Sequence, residues 1–408
     1  MPRVLLLILF TLTISSPLCA ADWPQFRGPD GQGHSSEQDL PLEWSEDKNV
    51  VWKVPIPGLG WSSPVIQGDR IWLTTALGQG RSLRAICLHR KDGRILNEVE
   101  IFLKENPGRI HSKNSHASPT PILEDDRVYV HFGAHGTACV SNDGQVLWRR
   151  ELKYEHLHGP GGSPVLFGDL LIVSCDGSDV QYVVGLDKQT GQIRWKQSRG
   201  KGGIAYSTPL VIQAEGIDQV VSTGADRVIS YDPLTGKELW WFPYDAFSLV
   251  PRPVHGLGLI FVCGGFNSPT LYALRPTGRG DLSWSHLEWS LSKGVPFNPS
   301  PVLVGEHLYL VSDTGVASCL DARTGKILWK ERLKGNFSAS PLAAPERIYF
   351  LNEEGETTVL APGKEFKKLS TNPLAGRTLA SLAVADKAIY LRNAQFLYRI
   401  EDVAEKPR

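Results

Sequence analysis

Short stretches in which apolar and polar positions alternate recur along almost the whole chain, for example at 127–132, 183–187, 307–311, 317–321 and 388–392. A period of two puts every second side chain on one face of an extended backbone, so each stretch predicts a short strand. Turns separate the stretches: Gly68-Asp69, Gly168-Asp169 and Gly305-Glu306 early in a unit, and an Asp/Thr-Gly-x-x-x-Trp segment late in it. That segment runs from Gly144 to Trp148, Gly191 to Trp195, Gly236 to Trp240 and Gly325 to Trp329. Glycine at these turns supplies the positive φ that tight connections between antiparallel strands require.

Each unit opens on Ser/Thr-Pro, at Ser63-Pro64, Thr120-Pro121, Ser163-Pro164, Thr208-Pro209, Ser300-Pro301 and Ser340-Pro341, with weaker copies at Arg252-Pro253 and Ser381-Leu382. The second residues are separated by 57, 43, 45, 44, 48, 40 and 41 positions, which makes eight units. One small sheet cannot cover both its faces, so neighbouring copies must stack. Radial stacking predicts an all-β fold, an eight-bladed β-propeller of four-stranded antiparallel sheets. The last unit, over 382–384, 388–392 and 396–400, stops before its Trp strand, and residues 49–54 match the missing piece. The N-terminal strand is therefore expected to complete the last blade, leaving no open sheet edge. The domain plan is a signal peptide at 1–20, an arm at 21–48 held on the propeller by Trp23, Phe26 and Trp44, a single propeller at 49–402, and a tail at 403–408.

Within this repeat, Trp148, Trp195, Trp240 and Trp329 read as packing residues between adjacent sheets. Cys87, Cys139 and Cys319 share one register, where other units carry Gly185 or Ala273, so the slot asks for a small apolar side chain. Spread over separate blades, these thiols are not expected to pair.

Composition agrees with many strands and turns: of 408 residues, 40 are Gly, 28 Pro and 12 Trp. The 43 basic and 43 acidic residues balance, which excludes a polybasic nucleic-acid binder and a disordered chain. Near its start the chain has Arg3 and then an apolar run over 4–14 broken only by Thr11 and Thr13, and it reaches small residues at Cys19, Ala20 and Ala21. This is the pattern of a secretory signal peptide, too short for a spanning segment of about 20 apolar residues. A lipidated Cys19 is disfavoured because Ser16 stands where the lipid-attachment pattern needs Leu. A periplasmic or secreted protein with no transmembrane segment is expected.

Candidate chemistry belongs on the loops leading into the innermost strands, since those loops rim the central funnel. Trp61, His116, Tyr206, Arg252, Asn298 and Arg377 combine aromatic, cationic and amide groups able to clasp a flat polar ligand. The histidines at 111, 116, 131, 135, 156 and 158 are weaker candidates for a transition-metal site, with His156 and His158 on one face if their segment is extended. Asp176 and Asp179, in Asp-Gly-Ser-Asp, could place two carboxylates near a hard cation, although the same residues suit an ordinary turn. No nucleophile elbow, dinucleotide fingerprint or P-loop occurs.

The Ser-Pro strand, the Ala-x-x-x-Asp strand and the Asp/Thr-Gly-x-x-x-Trp segment together resemble the pyrroloquinoline-quinone-like repeat of eight-bladed propellers, over residues 49–400. The leader Asp22-Trp23-Pro24-Gln25-Phe26-Arg27-Gly28-Pro29 resembles the opening of exported bacterial members of unassigned role. The resemblance implies the fold, and it spans quinone-dependent dehydrogenases as well as a scaffold lipoprotein of the outer-membrane assembly machinery. The dehydrogenase pattern needs adjacent cysteines, and none occur. The function expected is a noncatalytic, monomeric envelope scaffold, without a cofactor, binding a protein or a small-molecule or carbohydrate ligand. The alternative is a dehydrogenase of alcohols or sugars using pyrroloquinoline quinone with Ca²⁺, its base being Asp176 or His116.

Overall fold

The computed structural model describes residues 22–403 apart from 201, 267, 268 and 284. The signal peptide expected at 1–20 lies outside these residues, as does the tail beyond Val403. Eight sheets form in chain order, and in each the strands run outward from the axis. Blade 3 is representative, with Val165–Phe167, Leu170–Asp176, Gln181–Asp187 and Ile193–Ser198 paired antiparallel. Blades 1 and 2 span 65–103 and 122–150, blades 4 to 7 span 210–243, 254–291, 302–332 and 342–373. Blade 8 combines Ala383–Ala385, Ala388–Arg392 and Phe396–Ile400 with the N-terminal strand Val50–Pro55, in which Trp52 faces Arg399 and Pro55 faces Phe396. The ring is thus closed by the two ends of the chain.

One sheet departs from four strands. In blade 5 the connection ahead of the outer strand is long, and its Gly280–Asp281 segment pairs parallel with Trp240 and Trp241 at the edge of blade 4. This covers an edge that would otherwise be open.

Apolar side chains from facing sheets form layers between successive blades rather than one central core. One layer, for example, joins Trp72, Leu83 and Cys87 of blade 1 to Val128, Val130 and Val140 of blade 2. Outer-strand tryptophans tie six of the eight layers, the outer strands of blades 1 and 7 carrying none. Trp52, Trp148, Trp195, Trp289 and Trp329 donate their indole N–H to a backbone carbonyl of the next blade, at Arg90, Lys188, Pro233, Ala322 and Gly363, over 3.0–3.2 Å. Gly191 lies against the Trp148 ring, where a Cβ would sit 2.5 Å from it, so the turn glycine is required both for its φ of 68° and for the close approach. Trp240 differs: it donates to Gln219 Oε1 at 2.7 Å, and the Gln219 amide passes the bond on to Pro276 O of blade 5 at 3.0 Å.

The cysteine slot lies between an aromatic residue of the second strand and the position of the outer-strand Trp, as Cys139 does between Tyr129 and Trp148, and Cys319 between Tyr309 and Trp329. Cys87, Cys139, Cys175, Cys263 and Cys319 are all buried free thiols. Burial pushes Cys87, Cys139 and Cys319 up to about 11, far from thiolate reactivity at neutral pH.

Residues 22–48 cross one end of the hub. Trp23 exchanges two backbone bonds with Ile66 of blade 1, and Leu123 N of blade 2 donates to Pro24 O. Further along, Ser35 N donates to Ala343 O, and Tyr349 donates its hydroxyl to Pro41 O, both in blade 7. Trp44 N donates to Asn372 Oδ1 at 3.0 Å. Trp23, Leu40 and Trp44 are buried in the layer between blades 7, 8 and 1.

Candidate functional site

Antiparallel pairing gathers the loops before each Ser/Thr-Pro, and those between second and third strands, around one mouth, on the face of the ring opposite the arm. Inside the mouth is a cavity of about 590 Å³. Its wall carries Trp61, Tyr206, Phe247, Phe266, Phe297 and Asn298, with His111, Lys113, Asn114, His158 and Asp313 among the polar groups, and Phe26 of the arm also lines it.

Below the mouth, Ser63, Thr120, Ser163, Thr208, Ser300, Ser340 and Ser381 line the same cavity. They interlock. The backbone N–H of Ser63 donates to Thr120 Oγ1, that of Thr120 to Ser163 Oγ and that of Ser163 to Thr208 Oγ1, each at 2.9 Å. On the other side, Arg252 N donates to Ser300 Oγ, Ser300 N to Ser340 Oγ and Ser340 N to Ser381 Oγ, at 2.9–3.0 Å. This is the physical reason for the Ser/Thr at each repeat start: at the crowded axis the inner strands of adjacent blades meet end-on, and a short hydroxyl satisfies a neighbour's buried N–H. The ring breaks after Thr208, where Arg252 brings no hydroxyl, and after Ser381, where Ser63 Oγ is buried without a partner.

One residue deeper are proline carbonyls, and two buried arginines close them off. Arg252 donates from Nε to Pro209 O at 3.0 Å and from Nη1 to Phe26 O at 2.8 Å. Arg27 donates from Nη2 to Pro301 O at 2.5 Å and to Gln32 O at 2.7 Å. Burial lowers both guanidinium pKa values, to about 9 and about 10, which still leaves them charged at neutral pH. The arm thereby plugs the hub, and the cavity is open at one end.

Of the six funnel residues expected from sequence, the structure brings Trp61, Tyr206 and Asn298 together on the cavity wall. Tyr206 accepts the His158 N–H on its hydroxyl at 3.2 Å, and Asn298 donates to Asp313. Arg377 stands at the lip, its guanidinium carbon 5.7 Å from the Trp61 ring centre and Nη2 donating to Ser112 O at 2.7 Å. Arg252 points instead toward the arm, as described, and His116 is buried behind the wall against Gly80, its ring 6.0 Å from that of His135. Sequence reasoning did not pick out Phe247, Phe266, Phe297 or Asp313, which reach the mouth from loops of blades 4 to 6. It had the Ser/Thr periodicity in view as a repeat marker, and that was the available signal for the hydroxyl ring.

The enlarged step of 57 corresponds to a loop over 104–117 that reaches across the mouth. Lys113 pairs with Glu353 of blade 7 at 2.8 Å, Ser112 O meets Arg377, and His111 N donates to His158 O. His156 and His158 do not share a face: the segment bends, placing His158 on the funnel wall and His156 in a crevice with His131 and Tyr154. Among the described residues no three His, Cys, Asp or Glu side chains gather as a metal would need. Asp176 is engaged with Arg199 at 2.9 Å, both side chains almost wholly buried, and Asp179 Oδ1 accepts Glu155 N at 2.8 Å. Burial pushes Asp176 up to about 6 while Arg199 pulls it down, so the pair is ionised at neutral pH.

Pyrroloquinoline quinone is a flat tricarboxylate, and the wall does not fit it. Lys113, the cation on the wall, is already paired with Glu353, Asp313 adds a carboxyl group, and the guanidinium groups of Arg252 and Arg27 face carbonyls beneath the floor. The free, separate cysteines offer no adjacent pair.

A family model described as outer membrane protein assembly factor BamB matches residues 36–174, 134–245, 179–300 and 268–395. The outer membrane protein assembly factor BamB of Burkholderia pseudomallei (strain K96243) is 29% identical over 231 residues, covering 54% of this chain and 56% of the relative. That of Shewanella oneidensis is 27% identical over 216 residues, 50% of this chain and 52% of the relative. The chain spans about half the length of the curated relatives it matches. Among solved structures, BamB from Moraxella catarrhalis is similar with a TM-score of 0.62 at 15% identity, over 88% of this chain and 99% of that one. Quinohemoprotein alcohol dehydrogenase from Comamonas testosteroni gives 0.63 at 11% identity, over 95% and 82%. At such identities the structural likeness establishes the propeller fold alone.

Proposed function

The chain belongs to the outer membrane protein assembly factor BamB family, eight-bladed propellers of the pyrroloquinoline-quinone-like repeat, and from that premise we propose that it is an exported, noncatalytic scaffold of the cell envelope. The observation that carries this reading is the match over residues 36–395, almost the whole propeller, to a family named for an assembly factor. The geometry supports it. The arm closes one end, and the rigid ring presents the mouth loops as a platform, with Leu157, Phe247 and Phe266 exposed there. Lys113 and Asp313 at the mouth are held by structural partners, Lys113 by Glu353 and Asp313 by the Phe297 N–H and Asn298.

Export rests on the signal-peptide pattern at 1–20. No helix among the described residues is long and apolar enough to cross a membrane. The 21–48 arm acts as the plug of a single monomeric propeller, and the Trp-Pro-Gln-Phe-Arg-Gly-Pro leader marks the subgroup that carries this plug. Trp61, Tyr206 and Asn298 serve the ligand cavity, with Arg377 at its lip, while His116 and Arg252 support it from behind and below.

A photo-crosslinking residue placed at Phe266 or Leu157 on the mouth face, and at Leu234 on the arm face, tests the scaffold reading in envelope extract. Both mouth positions are expected to capture the same envelope protein and Leu234 to capture none. Equal capture from all three positions, or none, overturns it. Turnover of an alcohol or sugar after addition of pyrroloquinoline quinone and Ca²⁺ overturns the noncatalytic assignment.

A further inference from the structure

We propose that the funnel binds a neutral, oxygen-rich ligand with an apolar face, a short saccharide, seated on the hydroxyl ring and held between the aromatic walls. This deepens the scaffold reading and rests on it, since it assigns a ligand class to the cavity that the platform encloses.

The base of the cavity sets the polarity of what it takes. Six of the seven ring hydroxyls accept a backbone N–H from the neighbouring blade, which occupies an acceptor lobe and leaves the hydroxyl hydrogen to donate. No described protein group accepts those hydrogens, and Ser63 Oγ is buried with no partner at all. Seven O–H groups therefore converge on one axis as donors. Just beneath, Pro209 O and Pro301 O already accept from Arg252 and Arg27. A ligand presenting several acceptor oxygens fits this base.

Charge narrows the class. Lys113 is neutralised by Glu353 at 2.8 Å, and Asp313 is held by the Phe297 N–H and Asn298. An anion at the base would meet the Asp313 carboxyl with Lys113 already paired and the Arg377 guanidinium out at the lip over Trp61, and a cation would have to displace Lys113 or break the Asp313 bonds. The ligand is neutral. Shape narrows it again. The side walls are aromatic on several sides, with Trp61 and Tyr206 from blades 1 and 4 and a cluster at Phe247, Phe266 and Phe297, the last two rings 5.6 Å apart. Flat aromatic faces stack on the C–H face of a pyranose while its hydroxyls turn to the ring below. A cavity of about 590 Å³ holds a short oligosaccharide and not a folded domain.

The test is calorimetric titration of the intact protein, with Trp fluorescence in parallel, using cellobiose and N,N′-diacetylchitobiose as neutral probes and a galacturonic acid dimer as the charged counterpart. At least one neutral probe is expected to bind and the acidic dimer not to. Tyr206→Ala and Phe297→Ala should each weaken binding about three- to tenfold, the loss corresponding to one aromatic contact. Thr120→Ser, which keeps its hydroxyl, should retain affinity and report that the ring itself is intact. Failure of both neutral probes to bind folded protein, tighter binding of the acidic dimer, or unchanged affinity in both aromatic variants overturns the proposal. Crosslinking from Phe266 and Leu157 in the same preparations separates the two readings: capture of a partner without sugar binding removes the saccharide and leaves the scaffold standing.

Discussion

The hub is decided by individual side chains, as one comparison exposes. Ser163 and Ser63 occupy equivalent positions, yet Ser163 Oγ accepts the buried Thr120 N–H while Ser63 Oγ is buried without a partner. Ser163→Ala strands a buried donor and is expected to cost about 1–3 kcal/mol, whereas Ser63→Ala, removing an unsatisfied hydroxyl, should be close to neutral. Urea midpoints at constant slope measure both, and equal losses would contradict the interlocked ring. The histidines behind the wall supply a second test. Burial, reinforced by neighbouring imidazoles, pushes His131 down to about 3 and His135 and His156 to about 4, against about 6.5 in an unfolded chain. Because the folded values are depressed, their contribution is complete above pH 6.5 and is lost as pH falls toward 4, at about 1.4 kcal/mol per unit of depression for a fully buried group. Asp176, raised by burial to about 6, works in the opposite direction but is one group against three. The urea midpoint is expected to fall between pH 6.5 and 4.5, and a flat profile there would contradict it.

At the scale of elements, the arm behaves as a structural part of the propeller. Gly28 sits at φ 81° with the Trp23 ring so close that a Cβ would lie 2.7 Å from it. Gly28→Ala therefore strains the backbone and pushes Trp23 out of the layer between blades 7, 8 and 1, by an amount well above the roughly 1 kcal/mol of a compatible Gly-to-Ala exchange. The expected readout is cleavage within 22–48 by a dilute protease under conditions where the parent chain resists, with the blades themselves still protected. Cleavage at the same rate as the parent would mean that the arm is not locked by this contact. The outer strands make a related point. Their tryptophans recur in the sequence because the indole bonds a carbonyl of the next blade, directly in five of them. Trp240, which reads like the rest, reaches blade 5 through Gln219 as a relay.

At the scale of the whole molecule, closure by Val50–Pro55 makes the eight blades one mechanical unit. Removing residues 45–55 exposes the outer edge of blade 8 and breaks the Trp52 bond to Arg90 O. The single thermal transition, followed by both near- and far-ultraviolet circular dichroism, is expected to broaden and split between the two signals, and an unchanged melt would refute closure by this strand. The eight-fold repeat, the strand pattern and the clasp were legible in the sequence because each depends on local periodicity and on a count of strands per unit. The cavity was legible only in outline. Trp61, Tyr206 and Asn298 share a wall because three separate blades converge on one axis, and Arg252 leaves that wall because an arm more than 200 residues away offers it Phe26 O. Asp176 is taken by Arg199, whose partner no local motif could name. Alternation and turn chemistry act between neighbours in sequence, so the chain by itself determined the blades and their number. Which side chains face the funnel, which are engaged in the hub, and which end is closed depend on groups brought together only when the ring shuts, and the tertiary structure alone decided them.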